Sequence, residues 1–205
     1  MTSILLGVGM HGLVNRALQR FVCDTYGADA WTQVADRAAV GVSSFESMLH
    51  YDDAVTDAML SASVSVLDKP RDTLLEDLGI YLVAHPKCEV LRRLLRFGGD
   101  TFSEFLSSLD DLPERARLAV PDLDFPVIET LEKEFCDHVI LVRSDYGGPG
   151  RVLAGVLQGM ADDYGALATI DHQGVFEDGE KLAVRVHDMA FAKGRKFNLA
   201  PTPEP

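Results

Sequence analysis

Up to Pro121 the apolar residues of this chain recur every three to four positions, and beyond it they mostly alternate. The first period is that of helices with one buried face, the second that of half-buried strands. The class expected is α+β, a helical N-terminal part followed by a small antiparallel sheet with an inserted helix. Leu13, Val14, Ala17, Leu18, Phe21 and Val22 open the first helix, which should stop before Gly27. A short helix should follow over 30–38, then one over 52–67 with Asp52 or Asp53 at its positive end. Lys69-Pro70 separates that from a helix carrying Leu74, Leu75, Leu78, Tyr81 and Leu82, which ends at His85-Pro86. Helices over 89–96 and 101–109 flank the pair Gly98-Gly99.

Asp111-Leu112-Pro113-Glu114 has the chemistry of a helix start, with an aspartate to cap, a proline in the first turn and a glutamate after it. A helix running unbroken through Leu109 and Arg117 would lose ~3 kcal/mol at the proline. A break at Pro113 and a restart to about Ala119 are therefore expected. Later, 138–143, 166–172 and 181–189 read as strands and 151–164 as the inserted helix.

The chain has 205 residues, enough for one domain with a full core. Its formal net charge of −13 repels phosphate backbones and anionic lipid, so neither nucleic acid nor membrane is expected as a partner. No apolar run reaches the ~20 residues that cross a bilayer. Residues 1–9 are apolar but lack a basic region and a cleavage site, and read as an N-terminal extension. Residues 10–195 form the domain, and the Pro-rich 196–205 a disordered tail. Cys23, Cys88 and Cys136 have neither disulfide nor zinc spacing, which suits reduced thiols in the cytoplasm. There is no Gly-x-Ser-x-Gly elbow and no phosphate-binding glycine loop, so an enzyme is not expected. Gly147-Gly148-Pro149-Gly150 reads as a loop, and the paired acidic residues, including Asp162-Asp163, as solvated faces or caps. Arg92, Arg93 and Arg96 make a basic strip that either salt-bridges to the acidic surface or docks an anionic group.

Several segments in order resemble the haem-nitric oxide/oxygen binding (H-NOX) family. They are Met10-His11-Gly12, Tyr26-Gly27 leading to Ala30-Trp31, Tyr51-Asp52-Asp53, Leu109-Asp110-Asp111-Leu112 and the late helix from Val152 to Ala161. The resemblance runs from Met10 to about Met189. It implies a haem-based sensor, not an enzyme, that works by contacting a separate signalling protein. In the family a histidine follows Leu-Asp-x-Leu and binds the iron; here that residue is Pro113, which has no donor atom. The family's Tyr-x-Ser-x-Arg grips the haem propionates. The local match is Val142-Arg143-Ser144-Asp145-Tyr146, where Ser144 alone is kept and Arg143 or Arg151 could stand in for the arginine.

Haem, if held, is expected against Leu109–Val120 and the helices led by Val14 and Leu78, with Val14, Leu18, Leu74, Leu78 and Leu109 lining it. That lining offers no hydrogen-bond donor, which would favour nitric oxide over oxygen. The replacement iron ligands are His85 or His11. The other histidines read as a solvated loop residue (His50) and as strand residues facing water or a sheet edge (His138, His172 and His187). The alternative is a haem-free scaffold with the same fold. It would fill its interior with side chains or a small apolar ligand and act through a partner protein.

Overall fold

The computed structural model describes residues 9–134, 136–177 and 179–195. The extension, apart from Gly9, and the tail expected from sequence lie outside the described residues. The chain divides into two compact units, one reaching to Leu74 with Asp122–Asp124 added, the other holding Leu75–Pro121 and the chain from Phe125 on.

The first unit opens with β1 (Met10–His11), α1 (Gly12–Tyr26) and α2 (Ala28–Ala38), followed by β2 (His50–Tyr51) and α3 (Asp53–Leu67). β1 and β2 pair antiparallel, setting His11 opposite His50. The backbones close so tightly here that a Cβ on Gly12 would fall 2.0 Å from the Glu46 carbonyl oxygen, so only glycine fits. His11 accepts the Leu13 N–H and Asp52 the Ala54 N–H, capping α1 and α3. Phe21, Val22, Val34, Phe45 and Met59 are among its fully buried side chains. The Trp31 indole donates to the Ser43 carbonyl at 2.8 Å, which ties the loop after α2 back to that helix.

α4 (Arg71–Ala84) spans the division, and α5 (Glu89–Arg96), α6 (Phe102–Ser107) and α7 (Leu112–Ala119) follow. The second unit then builds one antiparallel sheet from β3 (Val127–Glu134), β4 (Asp137–Arg143), β5 (Leu167–Phe176) and β6 (Gly179–Asp188), in the order β3-β4-β6-β5. The inserted helix is α8 (Pro149–Tyr164), between β4 and β5. One core joins Phe102, Phe105, Leu106 and Leu109 to Leu157 and Met160 of α8 and to Ile140, Leu182 and Val184 of the sheet. Mixed helix and sheet, with the strands late, is the class the sequence implied.

Three local expectations need correction. β3 was not anticipated: its sequence, Val-Ile-Glu-Thr-Leu-Glu-Lys-Glu, is diluted with charge, which an edge strand tolerates because it lacks a neighbour on one side. Asp111 does not cap α7. It already has helical backbone angles, as the end of a 3-10 turn (Leu109–Asp111), whereas a capping side chain needs an extended backbone. The capping box lies earlier, where Thr101 and Glu104 satisfy each other's backbone N–H at the start of α6. His138 is buried rather than facing water or an edge, because it shares the inward face of β4 with Ile140 and Val142 and β4 lies between β3 and β6.

Candidate functional site

The segment around Pro113 is built as the proline demands. α6 ends at Ser107, the 3-10 turn intervenes, and α7 restarts with Pro113 in its first turn, where a missing N–H costs nothing. Leu109, Leu112, Pro113 and Ala116 are all buried, so one apolar face continues across the break. Asp110 and Arg115 fix the polar side. Asp110 Oδ1 accepts the Thr130 N–H of β3 at 2.7 Å, and Arg115 Nη2 donates to the Ser108 carbonyl at 2.9 Å.

The expected site residues are divided between the units. Val14, Leu18 and Leu74 belong to the first, Leu78, Leu109, Pro113, Arg143 and Ser144 to the second. Leu18, Leu74, Leu78 and Leu109 are buried, and Val14 is half-buried. Within the second unit, Leu109 and Pro113 share one face, whereas Arg143 and Ser144 are exposed at the end of β4. The Arg143 guanidinium meets Glu129 across the β3–β4 pair at 2.9 Å, and Ser144 Oγ accepts the Tyr146 N–H. Arg151 pairs with Glu76 at 2.7 Å.

The basic strip on α5 has an internal anion. Asp163 of α8, 1% exposed, accepts from Arg92 Nε at 2.6 Å, and its other oxygen lies 3.6 Å from Arg96 Nη1. Glu89 takes Arg92 from the other side and also pairs with Arg93. Burial would lower the Arg92 pKa, but the bonds to Asp163 and Glu89 outweigh it and the result is raised. The Arg96 guanidinium lies 3.9 Å from the centroid of the Tyr164 ring, and the Tyr164 hydroxyl donates to the Gly99 carbonyl. Burial pushes that phenol up to about 12, against the opposing pull of Arg96.

A second internal carboxylate occupies the start of α8. Glu180 Oε1 accepts the N–H groups of Gly148 and Gly150 at 3.1 and 3.2 Å. A Cβ on Gly150 would lie 2.6 Å from Glu180 Oε2, so glycine makes the room. Glu180 Oε2 is 2.8 Å from His172 Nε2, while His172 Nδ1 accepts the Gly174 N–H, which leaves the ring proton on Nε2 to donate to Glu180. The loop expected at 147–150 thus ends as an anion-binding helix terminus whose anion belongs to the chain.

These residues do not fit a haem held in the family's manner. Pro113, which the resemblance sets at the ligand position, is buried and has no donor atom. His11 Nδ1 accepts from Leu13 N–H and His85 Nδ1 from Lys87 N–H, so each neutral ring carries its proton on Nε2. Iron at Nε2 would move that proton to Nδ1, against a backbone N–H. Arg143 and Arg151 are paired with Glu129 and Glu76. Among the described residues no group of three or more His, Cys, Asp or Glu side chains is placed to hold a metal ion.

His11 carries a pH dependence of its own. Burial, then the nearby His50, holds its pKa below the ordinary 6.5, with Asp122 opposing. The unfolded chain takes up this proton near pH 6.5 while the folded chain still refuses it. Stability is therefore undiminished above that value and falls as pH drops below it, the loss levelling off beneath the folded-state pKa. Urea midpoints at about pH 7.5 and about pH 5.5 should show a smaller drop for His11→Gln than for the unaltered chain. An equal drop in both would show that His11 titrates normally.

Sequence reasoning missed Asp163, Glu180 and Thr130, whose roles depend on partners far along the chain, and Asn15. Asn15 is fully buried beside Val14, and among the described residues neither carboxamide atom has a hydrogen-bond partner. Its helical spacing from Leu18 and Val22, which puts it on the same buried face, was the available signal.

Comparison with known proteins gives a consistent answer. The haem-NO-binding family matches residues 11–172. Soluble guanylate cyclase 89Da of Drosophila melanogaster is 23% identical over 158 residues, covering 77% of this chain and 24% of that protein. Soluble guanylate cyclase gcy-31 of Caenorhabditis elegans is 25% identical over 129 residues, covering 63% of this chain and 18% of that protein. The chain thus spans no more than about a quarter of the length of these relatives. Among solved structures, the Fe(II) unliganded H-NOX protein from K. algicida superposes with a TM-score of 0.74 at 16% identity, covering 90% of this chain and all of that one. The Fe(II)NO form of the S. oneidensis H-NOX protein gives 0.69 at 15% identity, covering 87% of this chain and all of that one. With most of its length matched and its fold shared, the chain belongs to the haem-NO-binding, or H-NOX, family, whose domain is a sensor rather than a catalyst.

Proposed function

We propose that this chain is an H-NOX signalling domain that passes its signal to a partner protein without a histidine–iron bond. The observation that carries the reading is the buried Pro113 in the ligand position, set in the first turn of α7. The occupied arginines support it, since two haem propionates would have to displace Glu129 or Glu76. The scaffold instead fills its interior with side chains or a small apolar ligand. We place the domain in the cytoplasm, in keeping with three cysteines whose spacing suits no disulfide framework and with the absence, among the described residues, of a helix long and apolar enough to cross a membrane. The family match favours one rival, a haem-based nitric oxide sensor with an unusual axial ligand.

Titration of the purified chain with haemin, followed by reduction and exposure to nitric oxide, separates the two. The expected result is no stoichiometric Soret band and no spectral response to the gas. A stoichiometric band abolished by His85→Ala or His11→Ala would establish the rival and its ligand. A band that survives both substitutions would equally overturn the haem-free reading and remove both histidines as ligands.

A further inference from the structure

We infer that Asp110, the aspartate of the Leu-Asp-x-Leu motif, is the latch of the α7 segment, holding it to the sheet edge by a hydrogen bond in a chain with Pro113 in place of the histidine that follows the motif in the family. The inference rests on the haem-free reading above and deepens it. β3 is an edge strand, so the backbone groups on its outer side have no partner strand. The Thr130 N–H is one of them, and Asp110 Oδ1 takes it at 2.7 Å from a residue twenty positions earlier. The acceptor is a charged carboxylate, which makes the bond short and strong for its type. It acts at the 3-10 turn immediately before Pro113, where the Asp111 N–H bonds to the Ser108 carbonyl and the Leu112 N–H to the Leu109 carbonyl, three residues back instead of the four of an α-helix.

Arg115 reinforces the turn locally, donating to the Ser108 carbonyl and lying 3.3 Å from its hydroxyl. The buried face of Leu109, Leu112, Pro113 and Ala116 supplies adhesion without direction, whereas the Asp110 bond fixes register against β3. Asp110 is itself exposed, so the latch lies within reach of a competing group from solvent or from a partner. A partner cation that drew the carboxylate away would release α7 from the sheet without any change of cofactor. Asp110 in this role is a positioning residue.

Amide hydrogen exchange on the full chain, read residue by residue by NMR, tests this. Thr130 should exchange slowly although its N–H faces away from β4. Asp110→Ala should accelerate Thr130 by at least about tenfold and loosen 109–119, leaving the β4–β6 amides unchanged. Asp110→Asn, which keeps an acceptor oxygen, should restore most of the protection. Rapid exchange of Thr130 in the unaltered chain, or slow exchange in Asp110→Ala, would overturn the latch. Haemin is the control on the reading beneath it: no change in these rates is expected. Haemin that binds stoichiometrically and slows exchange over 109–119 would defeat the haem-free reading, while the Asp110→Ala arm would still judge the latch.

Discussion

Asp163→Ala should destabilise the chain by about 3–5 kcal/mol, because it removes the buried carboxylate that two guanidinium groups share. Arg92 and Arg96 are nearly as buried as the carboxylate they share, and Arg92 Nε loses a 2.6 Å partner. Glu89 compensates only in part, being substantially exposed and on the far side of Arg92. At about 2–4 °C per kcal/mol for a chain of this size, the melting temperature should fall by roughly 6–20 °C. The sign of a further experiment separates a stranded charge from a lost attraction. Combining Arg92→Leu with Asp163→Leu removes the closer pair and leaves Arg96 against the Tyr164 ring, and a buried pair replaced by apolar groups is often close to neutral. The double variant should thus recover at least half of the loss in urea denaturation. A single Asp163→Ala variant within about 0.5 kcal/mol of the unaltered chain would mean that the pair is solvated in solution.

Gly155→Val should be comparably damaging, for a steric reason. A Cβ at Gly155 would sit 1.9 Å from the Glu76 carbonyl oxygen and 3.0 Å from the Gly79 Cα. Reciprocally, a Cβ at Gly79 would meet the Val152 carbonyl oxygen at 2.1 Å. The clashing atoms are backbone, so neither helix can yield by turning a side chain, and α4 and α8 must separate. Overpacking of this kind costs about 1–3 kcal/mol for a methyl group and more for a larger side chain. Gly155→Ala and Gly79→Ala should each lower the urea midpoint. Together they should cost less than their sum, because once the crossing has opened the second methyl meets less resistance. Gly147→Ala is the control: nothing lies within 4 Å of its Cβ, and it should change stability little. Additive losses at Gly79 and Gly155 would show that the two glycines do not share one contact.

Haem chemistry and scaffold stability are separable in this chain. The two substitutions above act on α5 and on the α4–α8 crossing, whereas the haem question turns on Pro113 and on His11 and His85. A destabilised Asp163 or Gly155 variant should therefore leave the haemin titration unchanged so long as it remains folded.

Much was legible in the sequence because it is local. The helices over 12–26, 53–67 and 89–96 follow from apolar spacing and from Gly, Asp and Pro punctuation within a few residues. The break before Pro113 follows from the geometry of one ring. That a residue without a side-chain donor atom follows Leu109-Asp110-Asp111-Leu112 could be read from a single letter. What sequence left open depended on neighbours far along the chain. β3 is a strand because β4 pairs with it, not because its charge-rich sequence favours one. Asp162 and Asp163 look alike in sequence, yet only Asp163 turns inward, since Arg92 lies 71 residues earlier on a helix packed beside it. The glycine loop at 147–150 is an anion site because Glu180, thirty residues on, arrives at it. Propensity and period are properties of a few consecutive residues, and they determined the helices and the apolar strands. Burial, pairing and charge compensation are properties of distant residues brought together, and only the tertiary structure decided them.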